Sequence, residues 1–405
     1  MSFRHFADDI LLFSSLVGDT FYSRKIHETV LKFMVPRLPQ MTEYLSAGIH
    51  RTLESCLRPA AGSTSGWQTT TLFAACIDIA NRTMAPVLVG DRLGYQEEFV
   101  RDLSDLVALI PAISGASLRL PSFLRHIYYK FSTQGRKAHH LLQRLKSTAY
   151  PEFAQLCSEL SDNGKHGDLP LIGPMLSLGT TDKVLNRTLS DEIMELIIII
   201  QFAASGMLAI AQAQLILYYL AYPAFQSDLR DEVNSAFQQH QGWSKETILA
   251  MPKLDSFIRE TLRLSPPVMY TVQRKAMQDI TIPGGATLPA GQKVMAPTFA
   301  LMRDPDIYCS PDSFDPYRFY DPINNKPRVQ AATQSVDYAP FGFGSQACPG
   351  RAFAILWLKL MFATLIKDYE MKFSPDQSGT EKPPDLAIDT TLMPNPEAVV
   401  AFRRR

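Results

Sequence analysis

Three features are missing from this sequence: an excess of charge, paired cysteines and a hydrophobic leader. Forty basic side chains balance forty acidic ones. That balance excludes a generally basic nucleic-acid binder and leaves only local patches. The five cysteines (Cys56, Cys76, Cys157, Cys309, Cys348) are scattered, odd in number and never spaced C-x-x-C. A disulfide framework and a structural zinc site are therefore not expected. Residues 1–9 carry Arg4, Asp8 and Asp9, and the apolar run at 10–13 is short. A signal peptide needs more, and a spanning helix needs roughly 20 residues. There is no internal repeat, no low-complexity linker and no G-x-G-x-x-G nucleotide fingerprint. All eight histidines lie upstream of residue 241. A cysteine hydrolase built on Cys348 would therefore find no histidine base in its own segment.

What is present suits a large core. Apolar residues make up 46% of the 405 and charged ones 20%, the composition of a folded chain rather than a disordered one. The chain reads as one domain, 1–405, mainly α with a minor β region. Periodic apolar spacing predicts helix over 26–57, 97–110, 122–146 and 190–222, broken by a polar loop at 161–168. After Pro266-Pro267, short β-type runs at 268–273, 279–282 and 293–295 alternate with Gly and Pro turns. Residues 196–227 contain no charge and reach spanning length. Gln201, Ser205 and Gln212 recur there at helical spacing, with Gly206 read on the same side. This wetter stripe favours a long buried helix over a membrane span. The Asn-x-Thr triplets at Asn81 and Asn186 are taken as chance, since no secretory signal precedes them.

The most informative segment is Tyr338-Ala-Pro-Phe341-Gly-Phe-Gly344-Ser-Gln346-Ala-Cys348-Pro-Gly350-Arg351-Ala-Phe353. A glycine-rich turn leads to a cysteine, and an apolar helix follows. Backbone N–H groups and the helix dipole favour a thiolate at such a place. Gly342 and Gly344 let the backbone approach something flat, and Phe341 and Phe343 cover it. A single shielded thiolate suits an axial sulfur ligand of haem iron.

This run resembles the haem-binding loop of the cytochrome P-450 family, F-x-x-G-x-[R/H]-x-C-x-G, and its continuation is similar to that of fungal secondary-metabolism members. The resemblance implies a haem-thiolate fold, with protoheme bound through Cys348 and cradled by Phe341, Gly344 and Gly350. Glu260-Thr-Leu-Arg263, in an amphipathic helix ended by Pro266-Pro267, and Arg318 in Phe314-Asp-Pro-Tyr-Arg318-Phe follow the family's order. They would form the buried network behind the haem loop. Arg274 and Lys32 would meet haem propionates, with a solvated surface role as the alternative for each. Ala203, Gly206, Met207, Val268 and Met269 would face substrate or, equally, fill the core.

Departures from the pattern shape the functional expectation. Gly206 and Met207 stand where the family usually places an acid and an alcohol, and neither donates a proton. Gln346 replaces the usual Arg or His. The chain also begins late: the N-terminal anchor and first part of the fold seen in eukaryotic members do not precede the segment at 27–32. That implies a shortened, soluble form or an incomplete gene model. The expected activity is oxidation of a lipophilic terpenoid- or polyketide-like metabolite, with electrons from a separate NADPH-dependent reductase. The alternatives are other haem-thiolate chemistry (isomerisation, dehydration, peroxide-driven coupling) or a non-catalytic remnant. The expected location is the cytoplasm or the cytosolic face of the endoplasmic reticulum.

Overall fold

The computed structural model describes residues 1–23, 25–58, 66–163, 171–179, 187–374 and 381–405. The polar loop expected at 161–168 lies outside the described residues from 164 onward, as does Asn186 of the second Asn-x-Thr triplet. The longer helices, in chain order, are α1 Phe3–Leu11, α2 Leu38–Cys56, α3 Leu72–Val89, α4 Glu97–Ser117, α5 Ser122–Phe131 and α6 Thr133–Asn163. They continue with α7 Ile172–Gly179, α8 Arg187–Ala221, α9 Gln226–Gln239, α10 Pro252–Leu264 and α11 Arg351–Asp368. The main strands are β1 Gln68–Thr71, β2 Thr271–Lys275, β3 Lys293–Ala296, β4 Tyr369–Phe373 and β5 Val399–Arg404. The chain is mainly helical with a minor β component, as its periodicity predicts. It gathers into two compact units. One comprises Met1–Met34, Met84–Ala204 and Val272–Met295; the other comprises Val35–Thr83, Ser205–Thr271 and Ala296–Arg405.

In the first unit, α4 packs on α6. Phe99, Leu103, Leu106 and Ile110 of α4 and Leu142, Leu145 and Phe153 of α6 are buried, and both sets recur at the three- and four-residue spacing of a helix face. Glu97 and Glu98 occupy the first turn of α4, where the helix dipole favours anions. Arg144 of α6 pairs with Asp102 of α4 at 3.0 Å. The first turns of α8 are held by Lys146 on Asp191 and Lys25 on Glu192. β2 pairs with β3.

In the second unit, α11 packs against α2, α9 and α10. From Ile355 to Ile366 it is buried on every side, as a helix apolar all round must be. Trp357 is fully buried, and its indole N–H donates to Thr83 Oγ1 at 3.1 Å. The antiparallel sheet is ordered β1–β5–β4, with Val400 opposite both Thr70 and Phe373.

Three sequence expectations need correction. The run at 26–57 is not one helix. A single α-turn, Lys25–Glu28, passes into a π-helical turn, Thr29–Met34, and a 3-10 turn, Val35–Arg37, before α2 begins; Pro36 and Pro39 interrupt regular hydrogen bonding. The strand expected at 268–273 starts at Thr271, and Val268 makes only an isolated bridge to Thr391. The polar stripe of α8 is turned inward: Gln201, Ser205 and Gln212 are all buried, whereas Ala203 is exposed and Gly206 and Met207 are half-buried. Each residue advances about 100° around a helix, so Gly206 cannot share the side of Ser205. Leu72–Val89 and Thr188–Ala221 are both long and apolar enough to cross a membrane, and 67% of each window is buried inside the protein.

The N-terminus of α10 is capped from another helix. Met251, its N-cap residue, supplies no side-chain bond. Instead both oxygens of Glu232 on α9 accept backbone N–H groups, from Lys253 and Leu254, at 2.8 Å each. Burial pushes the Glu232 carboxyl up to about 7, against the opposing pull of those two amides. The unfolded chain has the ordinary, lower value, so between roughly pH 4.5 and 7 the folded state binds more protons, and stability falls as pH rises. The expected loss across that window is on the order of 1–3 kcal/mol. Glu232→Gln should flatten this slope in thermal melts recorded from pH 5 to 8. An unchanged slope would assign it to other groups.

Candidate functional site

α10 carries five charged side chains; Lys253 is half-buried, and Asp255, Arg259, Glu260 and Arg263 are buried. An isolated buried charge is costly, so each must have partners. Arg263 forms a two-bond fork with Glu260, Nε to Oε2 at 2.7 Å and Nη2 to Oε1 at 2.9 Å. Its Nη1 donates to the carbonyls of Met302 and Pro311. Arg318 reaches the same carboxylate, Nε to Oε1 at 3.1 Å, and donates to the carbonyl of Cys309. The backbone N–H of Asp315 also donates to Glu260 Oε1. The structure thus brings Glu260, Arg263 and Arg318 together around one carboxylate that balances two guanidinium groups. Phe314, just before this segment, stacks on Tyr218 with ring centroids 4.4 Å apart.

Arg259 was missed in the sequence. Its guanidinium donates to the carbonyls of Gln330 and Thr333 and lies 3.6 Å from the centroid of the Tyr338 ring. The Tyr338 hydroxyl donates back to the carbonyl of Arg259. Gln334, also missed, accepts the N–H of Phe341 through its side-chain oxygen at 3.1 Å. The available signal was a cationic residue beside Glu260 in a helix with little exposed surface. Neither periodicity nor spacing says which carbonyls it will meet.

These contacts lead directly into the cysteine loop. The N–H of Cys348 donates to the carbonyl of Phe341 at 2.8 Å and closes the turn. Gly342 and Gly344 take positive φ of 74° and 78°, a conformation that side chains with a Cβ resist. Gly350 is the N-cap of α11. Burial pushes the Cys348 thiol up, while the N–H groups of Gly350 and Arg351 and the nearby Arg351 guanidinium pull it down. A sulfur receiving two backbone N–H groups at a helix start is a site for a thiolate once a metal compensates its burial. Arg351 also donates to the carbonyl of Cys348 at 3.0 Å. Gln346 is exposed, in a short 3-10 turn.

The remaining expected site residues are placed as follows. Arg274, in β2, is half-buried and donates to the carbonyl of Gln273; it has no carboxylate partner among the described residues, and burial alone holds it below the ordinary arginine range. Lys32 is exposed and pairs with Glu28 at 3.6 Å. Val268 is half-buried. Met269 is buried, its carbonyl accepting from Phe299 N–H and Thr298 Oγ1.

Comparison with known proteins defines the class. The family model for "Cytochrome P450" matches residues 21–402. Cytochrome P450 monooxygenase sirB of Leptosphaeria maculans is 29% identical over 428 residues, covering 100% of this chain and 77% of that protein. Cytochrome P450 monooxygenase verB of Clonostachys rogersoniana is 27% identical, covering 94% and 73%. A solved structure titled "Retinoic acid bound cyanobacterial CYP120A1" matches with a TM-score of 0.68 and 20% identity over 94% of this chain and 78% of that one. The chain belongs to the cytochrome P450 family, has its fold, and is an oxidoreductase of the monooxygenase class. The family's cofactor is haem with an axial thiolate, served by a redox partner that supplies electrons.

The residues on hand fit that group. Cys348 supplies a sulfur with two amide donors already directed at it. The Glu260 network gives a direct test. Glu260→Gln would leave two arginines without their counter-charge and should destabilise the chain by about 3–5 kcal/mol in chemical denaturation. Arg318→Ala, which removes a partly exposed partner, should cost clearly less. Equal losses would show that the carboxylate is not the centre of the network.

Proposed function

We propose that this chain is a haem-dependent monooxygenase that oxidises a lipophilic secondary metabolite, with the iron held by Cys348. The observation that carries the reading is the cysteine itself. It stands just before α11, with the N–H groups of Gly350 and Arg351 on its sulfur, in a chain matched by the family over residues 21–402. When bound, a haem with an axial thiolate supplies oxygen activation, the sulfur pushing electron density to favour O–O cleavage. The chain's own part is to hold and orient. Gly350 and Arg351 spread the negative charge of the sulfur, and Phe341 gives the loop apolar cover. A separate NADPH-dependent reductase would supply the electrons.

A second reading is favoured by one stretch of α8. Ala203 is exposed, Gly206 and Met207 are half-buried, and a Cβ added at Gly206 would meet nothing within 4 Å. None of the three carries a proton donor. Ser205, the nearest hydroxyl on the helix, is buried. General-acid help then comes from Ser205, from water or from a hydroxyl of the substrate, or the chemistry is not ordinary hydroxylation. Isomerisation, dehydration and peroxide-driven coupling fit that second case.

The two readings separate on the oxidant. Supplied with reductase and NADPH, the purified chain should turn over substrate with poor coupling of electrons to product, and hydrogen peroxide should support turnover at least as well. Met207→Thr combined with Gly206→Asp should raise coupling with reductase. Tight coupling in the unmodified chain would contradict the role given to Gly206 and Met207.

A further inference from the structure

The Glu260 network explains how α10 holds the segment around 302–318. It does not explain what sets the cysteine loop against that helix. A second buried charge pair lies one turn earlier. Asp255 of α10 and Lys359 of α11 are both more than 90% buried, with Nζ 2.6 Å from Oδ1. The other oxygen of Asp255 accepts the N–H of Ala331 at 2.8 Å, and Lys359 also lies 3.4 Å from the carbonyl of Ile248. Asp255 and Arg259 are four residues apart and so share a face of α10. Arg259 takes the carbonyls of Gln330 and Thr333, on either side of Ala331. One face of one helix therefore grips the segment 330–333, upstream of Cys348, and α11, downstream of it.

We propose that the Asp255–Lys359 pair is a positioning contact that fixes where Cys348 stands. The chemistry supports a role in register rather than in stability. Lys359 is flanked by Leu358 and Leu360 in a fully buried helix, and an apolar side chain there would pack without any desolvation penalty. Buried ion pairs replaced by apolar residues of similar volume are often no less stable, whereas removing one partner is strongly destabilising. What such a pair does supply is a single allowed alignment. A slip of α11 by one residue against α10 would shift its start by about 1.5 Å and turn it by about 100°. Cys348 and the amides of Gly350 and Arg351, two and three residues on, would then move together away from the segment 330–333 that α10 holds.

The proposal rests on Cys348 as the haem ligand, so its test reads the thiol in haem-free chain. Cys348 is half-buried as a residue. The rate of its alkylation by iodoacetamide, followed on its own peptide by mass spectrometry from pH 6 to 10, reports the thiolate fraction and its surroundings. Lys359→Met should lower the thermal midpoint. Asp255→Leu with Lys359→Met should bring the midpoint back towards that of the unmodified chain, yet leave the Cys348 rate profile altered by about threefold or more. On haem loading, the same double variant should show a reduced share of the thiolate Soret band in the carbon-monoxide spectrum. A double variant with restored midpoint and an unaltered Cys348 profile would overturn the proposal and leave the pair purely structural.

If the double variant does not fold, Lys359→Gln keeps a hydrogen-bond donor for Asp255 and serves in its place. A shifted profile in folded Lys359→Gln supports positioning; an unchanged profile, or failure of both variants to fold, overturns it. A missing thiolate band in the unmodified, haem-loaded chain would instead sink the Cys348 assignment, which keeps the two failures apart.

Discussion

The Glu260 carboxylate is the point on which the second unit depends. Two arginines, Arg263 and Arg318, share it, and their remaining N–H groups are taken by main-chain carbonyls. Such a cluster is intolerant of losing its centre, because without the Glu260 carboxylate the fully buried Arg263 has no counter-ion. α10 must therefore enter at one depth and one rotation. Glu232 fixes its N-terminus, Pro266 and Pro267 stop its far end, and its buried face then presents Arg259 to the segment that becomes the cysteine loop. The catalytic cysteine of the proposed enzyme sits on an unusually polar foundation, although the helix that follows it is almost wholly apolar.

The loop itself follows from ordinary backbone chemistry. Two glycines at positive φ make the turn, the Phe341–Cys348 main-chain bond closes it, and the start of α11 supplies amides to the sulfur. Nothing in that arrangement is particular to one substrate. Selectivity has to come from elsewhere, and the proposed reading looks for it on α8. Its charge-free middle carries Gly206 and Met207, neither a proton donor, so under the proposed reading protons come from substrate or solvent.

How much of this was legible in the sequence varied with the range of the interaction. The helix at α10, its proline stop and the Glu260–Arg263 pair were readable because three-residue spacing and Pro-Pro are local signals. The turn before Cys348 and the helix after it were readable from the glycines and the apolar run. The π-helical turn at Thr29–Met34 was not, since a helix whose hydrogen bonds shift by one residue keeps nearly the same apolar rhythm. β1 was missed because Gln-Thr-Thr-Thr has no alternation; it is a strand only through its pairing with β5, more than 300 residues away. The long buried helix carrying Gln201, Ser205 and Gln212 was readable, but Gly206 was placed on the wrong side of it. Polarity along a helix predicts a distinct face, and whether water or protein lies opposite is decided by tertiary packing. Arg259 and Lys359 were missed for a related reason: long cationic side chains are mostly exposed, and only the fold shows that these two are not.

The central claim is that this chain binds haem through the Cys348 sulfur. It is tested most directly by expressing residues 1–405, loading haem and recording the reduced carbon-monoxide difference spectrum beside that of Cys348→Ser. The account predicts a Soret band at the position of thiolate-ligated haem in the unmodified chain, and its loss in the serine variant with helix content retained. A thiolate band that survives Cys348→Ser, or a fully folded chain that takes up haem without one, would contradict it.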